Sequence, residues 1–315
     1  MLENFIVSVG IVVPIFLIML LGYVLRRKNI TTEGFVQNGN FLVFKIALPT
    51  TLFHNVYSQN VHDLMDVSFI AFTVTATLAC FGLSWLFAKV FVKDKTLIAA
   101  FVHSAFRGNF MILGFPVMMS WLGADNVGKA ALVILFTIPL YNILAIIVLS
   151  VYSSTGKKIS ITNILKTIVT NPLTIGIILG LILSLMNITM PDILDSTVGY
   201  ISSLTTPLAL ICLGGGLELS KYNPKIKFGV WAATMKVLVQ PVIVVAIAYF
   251  LGFRSYDLAI ILITFSVPAA ITSYTMTVQM GGDHYVGATS VMFSTFFSVF
   301  TLTGFIYAFM MMGWV

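Results

Sequence analysis

The sequence predicts an all-α integral membrane protein: ten transmembrane helices in two inverted five-helix repeats, with helices 4 and 9 broken. Three observations predict it. The 315 residues are 59% hydrophobic and only 9% charged, with a mean hydropathy of +1.03, whereas soluble domains carry about 25% charged residues. The apolar residues fall into ten runs near the ~20 residues that cross a hydrocarbon core of ~30 Å. The two halves of the chain also match one another at a constant offset.

In order, the first run covers 4–25 and ends at Arg26, Arg27 and Lys28. It opens with Glu3 and its basic residues follow it, so it reads as a span rather than a cleaved leader. The second, 35–57, carries Lys45 and Pro49; the third, 66–88, is bounded by Asp66 and Lys89. The fourth, 96–122, contains "RGNFMILGFP" at 107–116, and the fifth is 127–152. The second half supplies 162–186, 197–219, 228–251 with Lys236 and Pro241, 256–280 with Pro268 in mid-span, and 285–312. Cys80 and Cys212 lie inside apolar runs and form no disulfide framework.

Charge sets the orientation. Twelve of the seventeen Lys and Arg sit on alternate connections: Arg26, Arg27, Lys28; Lys89, Lys93, Lys95; Lys157, Lys158, Lys166; Lys221, Lys225, Lys227. The opposite connections hold Lys129 and Arg254 among Asp63, Asp66, Asp125, Asp192, Asp195 and Asp257. The positive-inside rule makes the first set cytoplasmic and leaves both termini outside a plasma or inner membrane. Three cations remain inside spans: Lys45, Arg107 and Lys236.

Pro14 and Pro172 stand 158 residues apart, as do Gly22 and Gly180, Pro49 and Pro207, Gly123 and Gly281, and Asp125 and Asp283. Five ordered matches without a gap indicate duplication, with repeats over 1–155 and 156–315. Five spans per copy is odd, so the copies are inverted in the membrane. Inverted repeats suit alternating access, and matched Gly/Pro-interrupted spans point to the binding site. Here Gly108, Gly114 and Pro116 interrupt span 4, and Pro268 interrupts span 9. Backbone groups freed at such breaks cannot face lipid. Amides at the N-termini of half-helices can instead serve an anion.

At "RGNFMILGFP", "SVPAAITSY" (266–274), "ALPTTLF" (47–53) and "TPLALICLGGGLEL" (206–219) the chain resembles the auxin efflux carrier family, along essentially its whole length. That family includes plant auxin exporters and bacterial permeases for malate- or malonate-type acids. The resemblance implies that helices 4 and 9 cross as broken helices, with Asn109 and Pro116 at one crossover and Pro268 at the other. It implies a dimerising scaffold of helices 1, 2, 6 and 7, a transport domain of helices 3–5 and 8–10, and hence a homodimer. Plant carriers have Pro before the crossover Asn, where this chain has Gly108. That departure points away from auxin, although malate/malonate-like and auxin-like acids both remain in the expected class; the chain also lacks the long hydrophilic central loop of many plant exporters.

Arg107 is the leading substrate-binding candidate. A central Arg costs ~2.5–3.5 kcal/mol to insert and faces a cavity or a partner, and its planar fork can hold a carboxylate bidentately. Asn109, Ser266, Tyr274, Lys45, Lys236 and Gln240 complete the expected substrate-binding set. Lys236 has a competing reading in which it snorkels to the cytoplasmic face. His103 and His54 are candidate proton-coupling groups, and sodium coupling through carbonyls, Asn109, Ser266 and Thr272 is the other form of coupling weighed. No other cofactor, no metal site and no nucleic-acid partner is expected. "GADNVGKA" (123–130) nearly matches a phosphate loop, but Ala130 stands where a hydroxyl must hold magnesium. Paired catalytic acids, HExxH and Ser–His arrangements are all missing, which argues against an enzyme. The expected function is secondary active transport of small organic anions, most simply carboxylates, at a midplane crossover. A passive anion channel and a transporter-like sensor are the alternatives.

Overall fold

The computed structural model describes residues 2–58, 66–123, 127–152, 170, 172–216 and 224–315. Every named element among them is helical. The chain opens with α1 (Leu2–Arg27). Next come α2 (Glu33–Leu42), a π-helical turn (Val43–Ala47) and α3 (Leu48–Tyr57), which run on without a gap. α4 (Val67–Phe91) and α5 (Lys95–Phe106) follow. A second π turn (Phe110–Gly114) leads into α6 (Phe115–Leu122), and then α7 (Gly128–Tyr152). The second half holds α8 (Pro172–Leu185), α9 (Asp192–Ser203) and α10 (Thr205–Gly215). α11 (Ile226–Thr234) continues through a third π turn (Met235–Val239) into α12 (Gln240–Phe250). The chain closes with α13 (Ser255–Ser266), α14 (Ile271–Gln279) and α15 (His284–Met311).

Six helical runs among the described residues are long and apolar enough to cross a bilayer: Glu3–Arg27, Val67–Phe91, Gly128–Tyr152, Asp192–Gly215, Ile226–Phe250 and His284–Met311. Of the other expected spans, the fourth and ninth are interrupted, and the second runs on over Glu33–Tyr57 with Lys45 within it. Residues 162–169 and 171 of the sixth lie outside the described residues, as do Asp63, Asp125, Lys157, Lys158, Lys166 and Lys221.

Four helices begin at a side chain that caps them. Thr32, Asp66, Asp94 and Asp283 accept from the free amides of Phe35, Phe69, Thr96 and Val286. The three π turns share one cause. Pro49, Pro116 and Pro241 each stand second in the α-helix that follows a π turn. A proline removes one amide and crowds the carbonyl four residues back. The preceding residue answers by reaching five residues back, as from Leu48 to Val43 and from Gln240 to Met235.

Packing separates two environments. α5 is buried from Leu97 onward, and α13 is buried from Leu258 to Ser266. Helices apolar all round belong inside a large core. Leu17, Leu20, Leu83, Leu86, Leu179 and Phe300 instead point outward, an arrangement suited to lipid. α1 lies on α10, and α3 lies on α8, each at glycines. A Cβ on Gly22 would overlap the carbonyl of Ile211, and one on Gly180 would meet the carbonyl of Phe53 at 2.7 Å. Gly180 stands 158 residues after Gly22, and Ile211 stands 158 after Phe53. The two contacts are counterparts.

Candidate functional site

α5 stops at Phe106, and helix resumes at Phe110; α13 stops at Ser266, and helix resumes at Ile271. The two interruptions lie against each other, joined by an antiparallel bridge between Gly108 and Ala269. Their backbone groups are paired across the gap. Asn109 N–H donates to the Pro268 carbonyl at 2.7 Å, and Ala270 N–H donates to the Arg107 carbonyl at 3.2 Å. Ala269 N–H reaches Ser294 Oγ on α15 at 3.0 Å. The Phe265 carbonyl, in the last turn of α13, accepts from Lys236 Nζ at 3.0 Å. An ammonium at a helix C-terminus also answers the negative end of that helix's dipole.

Gly108 makes this approach fit. A Cβ there would stand 2.9 Å from Val267 Cγ2 and 3.1 Å from Lys236 Nζ. The break itself spans Arg107–Asn109. Gly114 ends the π turn, and Pro116 sits in the first turn of α6, both beyond the interruption.

A cavity of about 210 Å³ opens beside the bridge, lined by Arg107, Gly108, Asn109, Tyr141, Ala270 and Thr272 together with Asn40, Phe44, Met111 and Ile271. Two half-helix beginnings, at Phe110 and at Ile271, therefore meet one space. Arg107 is 8% exposed. Its Nη1 lies 3.3 Å from Met276 Sδ, a weak acceptor. Among the described residues no carboxylate lies within ion-pair distance of it.

Asn40 and Ile271 also line a second, wider cavity of about 580 Å³ that holds Arg26, Arg27, Glu33, Gln37, Gly215, Tyr274 and Met292. The crossover cavity thus adjoins a vestibule at the Arg26–Arg27 end of α1.

The sequence-derived candidates fall into separate groups. Arg107, Gly108 and Asn109 line the cavity, and Pro268 contributes its carbonyl to the bridge. Tyr274 faces the vestibule. Lys236 is fully buried behind Gly108, so snorkelling to the surface does not occur. Gln240 ties α12 to α4, donating to Ser84 Oγ at 2.9 Å. Ser266 is buried, and its hydroxyl has no partner among the described residues. Lys45 is exposed on the first π turn and does not line the cavity. His103 is buried against Thr277, whereas His54 meets Asp195 at 3.2 Å, between α3 and α9.

Asn40, Phe44, Tyr141 and Met276 were not singled out by the sequence. Asn40 carries a usable signal, an amide within an apolar span, but a weaker one than the charge of nearby Lys45, which costs more there. Tyr141 sits in an unpunctuated apolar run and offered none.

Comparison with known proteins gives a consistent answer. Residues 7–306 match the family described as membrane transport protein. An uncharacterized transporter of Methanothermobacter thermautotrophicus is 23% identical over 302 residues, covering 94% of this chain and 96% of that protein. The uncharacterized transporter YfdV of Escherichia coli K12 is 25% identical over 271 residues, 84% of this chain and 85% of its own. A putative malonate transporter of Rhizobium meliloti is 23% identical over 306 residues, 95% of this chain and 94% of that protein.

Proposed function

The chain belongs to the membrane transport protein family, that of the auxin efflux carriers, and from that premise we propose that it carries small organic anions by alternating access at the crossover. It is a multi-pass membrane transporter and not an enzyme. The carrying observation is Arg107: a guanidinium on a cavity wall, beside two half-helix beginnings, with no carboxylate partner among the described residues. An incoming carboxylate supplies that missing charge and accepts the planar fork of donors. Malonate, named for the Rhizobium relative, is the first substrate to test.

The topology proposed is ten spans in two inverted repeats, with α1–α3 and α8–α10 as scaffold and the remaining helices as the moving body. The paired glycine contacts of α1 on α10 and of α8 on α3, both related by 158 residues, support the repeat. The vestibule lies at the Arg26–Arg27 end of α1; with the positive-inside rule making that end cytoplasmic, the proposed state is inward-open with both termini outside. Homodimerisation through the scaffold completes the proposal.

Counterflow in proteoliposomes tests it. Malonate loaded inside should drive transient accumulation of labelled malonate from outside, and uptake should saturate. Linear, unsaturable flux without counterflow would identify a channel, the alternative that a positive crossover also permits.

A further inference from the structure

His103 lies one helical turn before Arg107, on the same half-helix, and is completely buried. Its hydrogen bonding fixes its tautomer. Thr277 Oγ1 donates its single proton to the Ser273 carbonyl at 2.6 Å. The same oxygen lies 3.3 Å from His103 Nδ1, so it must accept from that nitrogen, which therefore carries the proton. Nε2 is left as a bare lone pair, buried and without a partner among the described residues. Unsatisfied buried acceptors are uncommon, and each calls for a physical reason such as a proton-handling role. Two further buried hydroxyls on these half-helices, Ser104 Oγ and Ser273 Oγ, also have no partner among the described residues.

We infer that His103 Nε2 is the coupling-proton site, loaded together with the anion that Arg107 holds. The inference rests on the anion-transport reading above. The step is a plain protonation: a proton delivered by water is taken by the Nε2 lone pair, giving an imidazolium whose Nδ1–H still donates to Thr277. No electron moves, and no other reactant is needed.

The surroundings explain why the two ligands arrive together. The elements packed against α5 are α4, α7, α11, α14, α15 and the third π turn. Besides Arg107, the titratable groups they bury are Cys80, Tyr141, Lys236 and Tyr285, with Tyr274 on the vestibule side. Among the described residues none is a carboxylate, so a further cation beside Arg107 and Lys236 has no buried counter-charge until a substrate carboxylate enters. Anion and proton then favour each other reciprocally, because coupling between two ligands is symmetric.

Calorimetric titration of the purified full chain with malonate, in two buffers of different ionisation enthalpy, counts protons taken up. The wild type should take up close to one proton per malonate, with affinity rising about tenfold per unit fall in pH across the coupled range. His103→Gln should still bind malonate, with uptake falling to near zero and affinity losing its pH dependence. Thr277→Val keeps Nε2 but removes the acceptor that holds the imidazolium, so its uptake should persist at lower pH. Unchanged uptake in His103→Gln, or binding by the wild type without proton exchange from pH 5 to 8, would overturn the inference while leaving the anion site standing. Absence of binding by malonate, malate and acetate alike would instead overturn the reading on which it rests.

Discussion

Asp66 shows how a single residue is used at the membrane boundary. It caps α4 through Phe69 N–H and accepts from the Ser68 hydroxyl, and its other oxygen meets Lys129 Nζ at 3.2 Å. Lys129 in turn holds Asp257 at 2.9 Å, so one ammonium joins the starts of α4, α7 and α13. Hydrogen bonds from Ser68, then Phe69, bring the Asp66 carboxyl down to about 2, with Lys129 adding to the effect. Because the folded-state value lies below the unfolded one, the stabilisation is complete above about pH 4 and is lost as pH falls through about 2. The thermal midpoint in detergent should therefore drop across that window. Asp66→Asn, which can still cap the helix, should flatten that part of the profile; an unchanged profile would show that Asp66 is not the titrating group.

At the scale of elements, the crossover depends on backbone approaching backbone, and Gly108 is where that is tightest. Gly108→Ala places a methyl against Val267 and Lys236. It should cost about 1–3 kcal/mol by overpacking. Gly82→Ala on α4, where nothing lies within 4 Å of the new methyl, serves as control. Equal thermal midpoints for the two variants would contradict the geometry. This contrast also shows what the sequence could and could not reveal. The mid-span Arg, Gly and Pro residues announced interruptions, because each is costly in a lipid-facing helix. They did not reveal which of Gly108, Gly114 and Pro116 ends the helix, since Pro in a first turn is tolerated and a π turn absorbs the strain. Lys236 and Gln240 were legible as buried polar residues. That they face the back of the crossover and α4 follows from helix rotation about the third π turn, which an apolar sequence all round does not encode.

For the whole molecule, the proposal orders the cavities along one path: vestibule, Asn40 and Ile271, then Arg107. The orientation came from loop charges alone, and several of those, including Lys157, Lys158, Lys166 and Lys221, lie outside the described residues. Cysteine accessibility checks it directly, because Cys80 and Cys212 are both buried. Asn40→Cys should react with a membrane-impermeant thiol reagent in inside-out vesicles but not in intact cells, and malonate should slow the reaction. Labelling in intact cells alone would reverse the proposed orientation.

The central claim is that Arg107 awaits the negative charge of its substrate, and its affinity for anions tests that claim most directly. Malonate binding by calorimetry should be compared with thermal stability for the wild type, Arg107→Lys and Arg107→Ala. Arg107→Lys keeps the charge but loses the bidentate fork, so it should bind weakly. Arg107→Ala should lose on the order of 2–5 kcal/mol of binding, the cost of breaking a desolvated charge pair. Its folding should survive, because removing a central charge lowers the cost of insertion. If Arg107→Ala binds malonate as the wild type does but unfolds readily, Arg107 is a structural crosslink and the crossover cavity is not the anion site.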